Sequence, residues 1–426
     1  MSEDFQDSLT FLNSRGIKMD IKRGEVREVT PEMYGAVGDG VTDDTIAINN
    51  AAEAARAYGI PFHFSKNYYI TDSLNFTGTP GGWYGYGVFR GNHGWNIYGD
   101  GQYITNIYAD LKEGYPVFDF TGTEKVHLHD IHISGKPSGL QTAGVLFAMD
   151  GETNRGVYPN ISRVQIDGIF SKAGLANVGA DQSNINQCLI FGPVGVFYGN
   201  TDILGVGSKY RTFTSLPGQN TIHNMFGGGT HGEETSAVWA EDCSGSINAF
   251  GSFFGVTGTA ISAIKTTGAN FPKVFWHGCR MESKSSAFNT HILYAEKAPQ
   301  YSHFSGAYYI NGMGPFFYIP TGQFLQNAFI QIDPGLPNPG QLPQTSLMFG
   351  GGGCIRSCTI YDLKGINAEL TRTGNKNNVV YSINENPWVN FISGSTQNIW
   401  YAGQRVYFGG DLYVSRSLYI GGKKIT

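Results

Sequence analysis

One short unit returns along the middle of the chain: an apolar residue, two spacers, an apolar or cysteine residue, one spacer, then an apolar residue or glycine. It reads Leu128–Ile131–Ile133, Ile161–Val164–Ile166, Ile185–Cys188–Ile190, Ile222–Met225, Ile247–Phe250 and Trp276–Cys279–Met281. With the middle residue as anchor (Phe250 in its unit), successive units lie 24 to 37 residues apart. A solenoid demands this combination of constant strand and variable spacing. Each coil lays a strand on its predecessor at about 4.8 Å, and length differences go into loops. Anchors then stack inward in columns, so that Ile, Val, Cys, Met and Phe exchange there. An open sandwich also has many short strands, but its hairpins recur every ~8–12 residues, closer than these steps. The predicted fold is all-β, a parallel β-helix.

Composition agrees. Of 426 residues 59 are glycine, without the strict three-residue period of collagen. Charged residues make up 15% and aromatics 14%, too apolar for a disordered chain. The net charge of −5 comes with no basic cluster, which argues against a nucleic-acid partner. No run reaches the ~18 apolar residues of a membrane span, so no membrane insertion is expected. The opening Met1-Ser2-Glu3-Asp4 lacks the basic and apolar regions of a secretion leader. Five cysteines form no C-x-x-C pair and read as reduced, mostly buried residues. No metal or cofactor is expected.

The chain divides into four stretches. Residues 1–30 are a polar arm or connector with one helical-looking patch (Phe5, Leu9, Phe11, Leu12). Residues 31–332 carry the solenoid and open with a glycine-rich turn, Gly35 to Thr45. A helix follows, with Thr42 as expected N-cap and Ile48, Ala51, Ala55 and Tyr58 as its apolar stripe. Gly59 and Pro61 end it. Residues 333–353 are a proline- and glycine-rich linker, because prolines remove ladder donors. Residues 354–426 form a C-terminal β segment whose end repeats as three hexads, Arg405–Gly410, Asp411–Arg416 and Ser417–Gly422. Two apolar residues per short turn would bury if three identical chains each gave one face of a prism. A hairpin edge is the alternative.

The stretch Tyr34-Gly35-Ala36-Val37-Gly38-Asp39-Gly40-Val41-Thr42-Asp43-Asp44-Thr45, then a helix, then Ile60 to Ile70, resembles the N-terminal signature of the pectate-lyase-like superfamily. Asn92 to Gly101 is similar to that family's early glycine-rich rung. The resemblance implies a right-handed parallel β-helix whose open N-terminal end is covered by the turn and helix. Among members, the chain looks most like bacteriophage tailspikes and capsule depolymerases. That likeness implies a homotrimer in the phage virion, docked on another tail protein through its N-terminal arm, which binds and hydrolyses bacterial surface polysaccharide. A lyase on the same fold and a non-catalytic receptor-binding fibre are the alternatives.

Glycoside hydrolysis needs two carboxylates about 5–5.5 Å apart for retention or about 6.5–9.5 Å for inversion, and stacked coils can supply either spacing. The candidate catalytic residues are Glu241, Asp242 and Glu282, expected in one groove from adjacent coils, together with Asp202. Trp239, Trp276, Arg280, His231 and Tyr210 are the candidate substrate-binding residues, offering flat faces and polar groups to sugars. A lyase would instead need a base and a cation, for which His231, His277, Arg280, Lys265 and Lys284 are available.

Overall fold

In the computed structural model, the residues described are 8–12, 18–22, 26–77, 94–123, 125–148, 158–179, 182–199, 202–206, 219–229, 236–256, 262–283, 291–310, 315–333, 349–362, 378–382, 397–401, 418–420 and 423–425. They form a parallel β-helix. One side is a ten-stranded parallel sheet running from Leu74–Asn75 through Ala143–Ala148, Val194–Gly199, Ser236–Glu241 and Ser262–Thr267 to Phe349–Gly350. The other side is a bent sheet, in which each coil contributes two strands joined at a corner, such as Ser246–Phe250 and Phe253–Val256.

The corner explains the repeating unit. Asp130, Arg163, Gln187, Asn224, Gly251 and Gly278 take its tip in successive coils, all with φ between +48° and +59°. A left-handed residue interrupts the strand's two-residue alternation, so the residue after it points inward again. Hence Leu128, Ile131 and Ile133 are all buried despite their uneven spacing. The strain of the non-glycine tips, about 1–2 kcal/mol each, is held by the ladder: Gln187 N–H donates to His223 O and Asn224 N–H to Phe250 O, each at 3.0 Å.

Phe250 corrects one anchor. It pairs with His223 and stacks on that ring at 4.9 Å, outside the core. The buried anchor of its coil is Ser252, whose Oγ accepts from Met225 N–H at 3.1 Å. Met225, Ser252 and Cys279 then follow at a regular 27 residues. Ser252 is not apolar, so the sequence pattern settles on Phe250 instead.

The front end is closed by the helix Thr45–Tyr58, which buries Ile48, Ala51, Ala52 and Ala55 against the first coil and stops at Gly59 with φ +64°. Its N-cap is Asp44 rather than Thr42. Asp39 takes the Thr42 hydroxyl at 2.9 Å and the Val41 and Thr42 amides, while Asp44 takes the Val37 and Gly38 amides at 2.7 and 3.0 Å. The acidic residues of this turn are therefore spent on shaping it. The helical-looking patch near the N-terminus is instead an antiparallel pair, Ser8–Leu12 on Lys18–Lys22. The alternation Leu9-Thr10-Phe11 outweighs the helical spacing there.

The solenoid does not end at the proline-rich stretch. Phe349–Gly350 stacks on Phe317–Tyr318, Cys354–Arg356 on Phe324–Gln326, and Thr359–Asp362 on Phe329–Asp333. Asn378–Ser382 and Gln397–Tyr401 add further strands in parallel. Residues 333–353 thus contain an insertion between consecutive coils, which a solenoid absorbs without closing its core. Of the three hexads, the first two lie outside the described residues. In the third, Leu418–Ile420 pairs antiparallel with Lys423–Ile425.

Candidate active site

The outer face of the ten-stranded sheet carries three columns of outward side chains. In successive early strands the positions are Ala143, Leu146 and Ala148, then Ala173, Ala176 and Val178, then Val194, Phe197 and Gly199. The apolar members pack with Leu204 and Val206 into a second hydrophobic cluster. The next three strands, in unbroken register, change its character. The same positions become Ser236, Trp239 and Glu241, then Ser262, Lys265 and Thr267, then His291, Tyr294 and, one residue past its strand, Glu296. Packing of the interior does not call for this change, since the inward residues Val196, Val238, Ile264 and Leu293 stay apolar.

These side chains engage one another. The Trp239 indole N–H donates to Thr267 Oγ1 at 2.8 Å, and the Phe197 ring meets the indole edge-on at 5.8 Å. Lys265, only 2% exposed, places Nζ 4.2 Å from the indole centroid and 3.4 Å from Glu296 Oε1. Tyr294 and Tyr318 stack at 4.8 Å, and the His291 ring lies 5.3 Å from Tyr318. His291 Nδ1 donates to Pro315 O at 2.6 Å, and burial pushes its imidazole down to about 4, so the ring is neutral with Nε2 as acceptor.

Glu241 pairs with Thr267, and Glu296 stands one residue past the last pair of the next step, Thr266 with Ala295. Two coil steps place the backbones of Glu241 and Glu296 about 9–10 Å apart, within reach of the carboxyl spacing of inverting hydrolysis. Glu241 is 9% exposed, whereas the Glu296 side chain is 51% exposed.

Of the residues expected from sequence, Glu241 and Trp239 belong to this face. Asp242 is next in sequence but turns the corner with φ +52°, and its Oδ1 accepts the Ala269 and Asn270 amides at 2.8 and 2.9 Å. Glu282 and Arg280 do not share the groove of Glu241. They sit on the bent sheet, paired with each other at 3.3 Å, with the guanidinium 5.2 Å from the Phe253 ring. The expected meeting failed because Arg280–Ser283 and Ser236–Glu241 belong to different walls of the solenoid. Asp202 takes the Val206 amide at 2.8 Å, shaping the loop over the early apolar face. Trp276 is wholly buried, its indole N–H donating to Cys279 O, so it fills the core and meets no substrate. His231 and Tyr210 lie outside the described residues.

Sequence reasoning missed Glu296, Thr267, Ser236, Ser262, His291, Tyr294 and Tyr318, and weighed Lys265 only as a lyase cation. The signal was present in Ser-Ala-Val-Trp-Ala-Glu, Ser-Ala-Ile-Lys-Thr-Thr and His-Ile-Leu-Tyr-Ala-Glu, three hexads ending at Glu241, Thr267 and Glu296. Among the described residues no helix is long and apolar enough to cross a membrane.

Neither a scan against protein-family models nor a search of the curated proteins gives a match. Solved structures do match. Tailspike protein 3 of bacteriophage CBA120 is 11% identical with a TM-score of 0.52, over 93% of this chain and 64% of that one. The ORF18 protein of Geobacillus virus E2 is 15% identical with a TM-score of 0.44, over 94% and 69%. The Dettilon tailspike protein is 16% identical with a TM-score of 0.43, over 88% and 68%. Strand order, register and the CBA120 likeness agree that this chain has a parallel β-helix fold, which that tailspike protein shares.

Proposed function

We propose that the chain is a phage tailspike that binds a bacterial surface polysaccharide and hydrolyses its glycosidic bonds on the outer face of the ten-stranded sheet. The carrying observation is that Glu241 and Glu296 close equivalent hexads two coil steps apart, which sets their backbones about 9–10 Å apart. Glu241, the more buried of the two, is the carboxyl assigned to protonate the leaving oxygen. Glu296, ion-paired with Lys265 and open to solvent, is the carboxylate that takes a proton from the attacking water. The two steps invert the anomeric centre. Trp239, Tyr294 and Tyr318 supply apolar edges beside the carboxyl pair for the sugar rings. The fold shared with tailspikes supports the virion setting. The proposed assembly is a trimer tied through the C-terminal hexads, with residues 1–30 docking on another tail protein. A lone species of 46.4 kDa in light scattering would remove the trimer.

Lys265 favours a second reading, a lyase in which its cation steadies the anion formed beside a uronate carboxyl. Incubation with a panel of capsular and O-antigen polysaccharides separates the readings. New reducing ends without ultraviolet absorption support the hydrolase, and absorption from an unsaturated uronate supports the lyase. Retention of polysaccharide without either leaves a binding fibre.

A further inference from the structure

The column beside the carboxyl pair has unspent hydrogen-bonding capacity. Ser236 and Ser262 are neighbours across the parallel ladder, both fully buried, and neither Oγ has a hydrogen-bond partner among the described residues. A buried hydroxyl left unpaired destabilises the free protein. At the equivalent positions three earlier strands carry Ala143, Ala173 and Val194, which fill this place without a hydroxyl. The fold therefore does not require serine here. His291 completes the column as the neighbour of Ser262. Its Nδ1 proton is committed to Pro315 O, and burial keeps the ring uncharged. The column thus presents two hydroxyls and a neutral imidazole, and no charge.

From this arrangement we infer that Ser236, Ser262 and His291 form a sugar-binding subsite for an uncharged ring, gripping its hydroxyl or acetamido groups next to the bond that Glu241 and Glu296 cleave. The inference rests on the polysaccharide reading and narrows it. A carboxylate or sulfate would meet no cation in this column, whereas a neutral sugar exchanges donors and acceptors with the serines. Neither hydroxyl is open to solvent in the free chain, so occupancy is an induced fit in which the face opens to admit the group.

Ser236→Ala and Ser262→Ala separate a binding role from a structural one, because removing an unpaired buried hydroxyl relieves the free protein. Each variant should melt at or above the wild-type temperature, by up to about 4 °C. Binding is read by saturation-transfer NMR and thermal shift with glucose, galactose, N-acetylglucosamine and glucuronate. The wild type should bind at least one neutral sugar in preference to glucuronate, and each alanine variant should lose about tenfold in affinity for it. Variants that melt several degrees lower and keep their affinity overturn the subsite, as does a wild type that binds only glucuronate or none of the four. The polymer assay distinguishes this from failure of the hydrolase reading. Neutral-sugar binding lost in the serine variants, without cleavage of any polymer by the wild type, leaves the subsite standing and removes the hydrolase.

Discussion

The ammonium nitrogen of Lys265 stands 4.2 Å from the centre of the Trp239 indole, on the coil that follows it. It also pairs with Glu296, 3.4 Å away on the coil after that. One buried cation therefore ties an aromatic wall to one member of the carboxyl pair, across three successive coils.

If the pair does the chemistry, Glu241→Gln and Glu296→Gln should each lower kcat by about 10²–10⁴ while leaving the far-ultraviolet circular dichroism and melting temperature close to wild type. Glu282→Gln, on the bent sheet, should cleave normally. Initial rates of reducing-end release check all three. Full activity in either the Glu241 or the Glu296 variant would sink the assignment.

Lys265→Met tests the tie itself. Removing the ammonium leaves Glu296 half exposed, where water solvates its charge, and Met keeps contact with the indole. The variant should fold and melt within a few degrees of wild type, yet lose at least about tenfold in kcat because Glu296 loses its fixed partner. Tryptophan emission should also change, because a charged group leaves one indole face. Unchanged rate and emission together would show that Lys265 only fills space.

How far the sequence carried depends on which strand is considered. In the bent sheet the left-handed tips produce an irregular apolar pattern that survives as a readable unit, and the capping turn is legible because its glycines at 35, 38 and 40 sit at positive φ. Strands of the ten-stranded sheet leave a weaker mark. Ala173–Val178 and Val194–Gly199 are buried on both faces, so their residues show no alternation of inside and outside. Only from Ser236 onward does the outer face become polar, and three hexads are too few to stand out among variable loops. Placing Glu241 with Glu282 needed knowledge of which wall each strand joins. Local pattern does not contain that, because it follows from coil closure.

Acid should unfold the chain in a window set by buried histidine. Burial lowers His291 to about 4 from the ordinary ~6.5 and pushes His277 and His303 down as well, the last two with rings 4.7 Å apart. The unfolded chain therefore takes up these protons first. Stability is full above about pH 6.5 and is lost as pH falls toward 4, with His291 alone contributing roughly 3 kcal/mol at the acid end. His291→Asn keeps a donor for Pro315 O without a titrating ring, so its melting temperature should fall less steeply across that window. Parallel curves for variant and wild type would show that His291 does not control it.

Asp242 provides the contrast to its neighbour Glu241. Its Oδ1 gathers the Ala269 amide, the Asn270 amide and the Asn270 side-chain amide at 2.8 to 2.9 Å, from a backbone at φ +52°. Gly268 fits beneath only because it has no side chain, since a Cβ there would lie 2.7 Å from Asp242 Cα. Asp242→Ala removes the acceptor and leaves alanine in a left-handed conformation, which together should cost about 2–4 kcal/mol. Asp242→Asn retains an acceptor oxygen and tolerates that conformation, so it should lose far less. Both variants should hydrolyse polymer at near wild-type kcat well below their melting temperatures, because the oxygen serves the corner between coils. A large fall in kcat for the asparagine variant at unchanged melting temperature would place Asp242 in the chemistry after all.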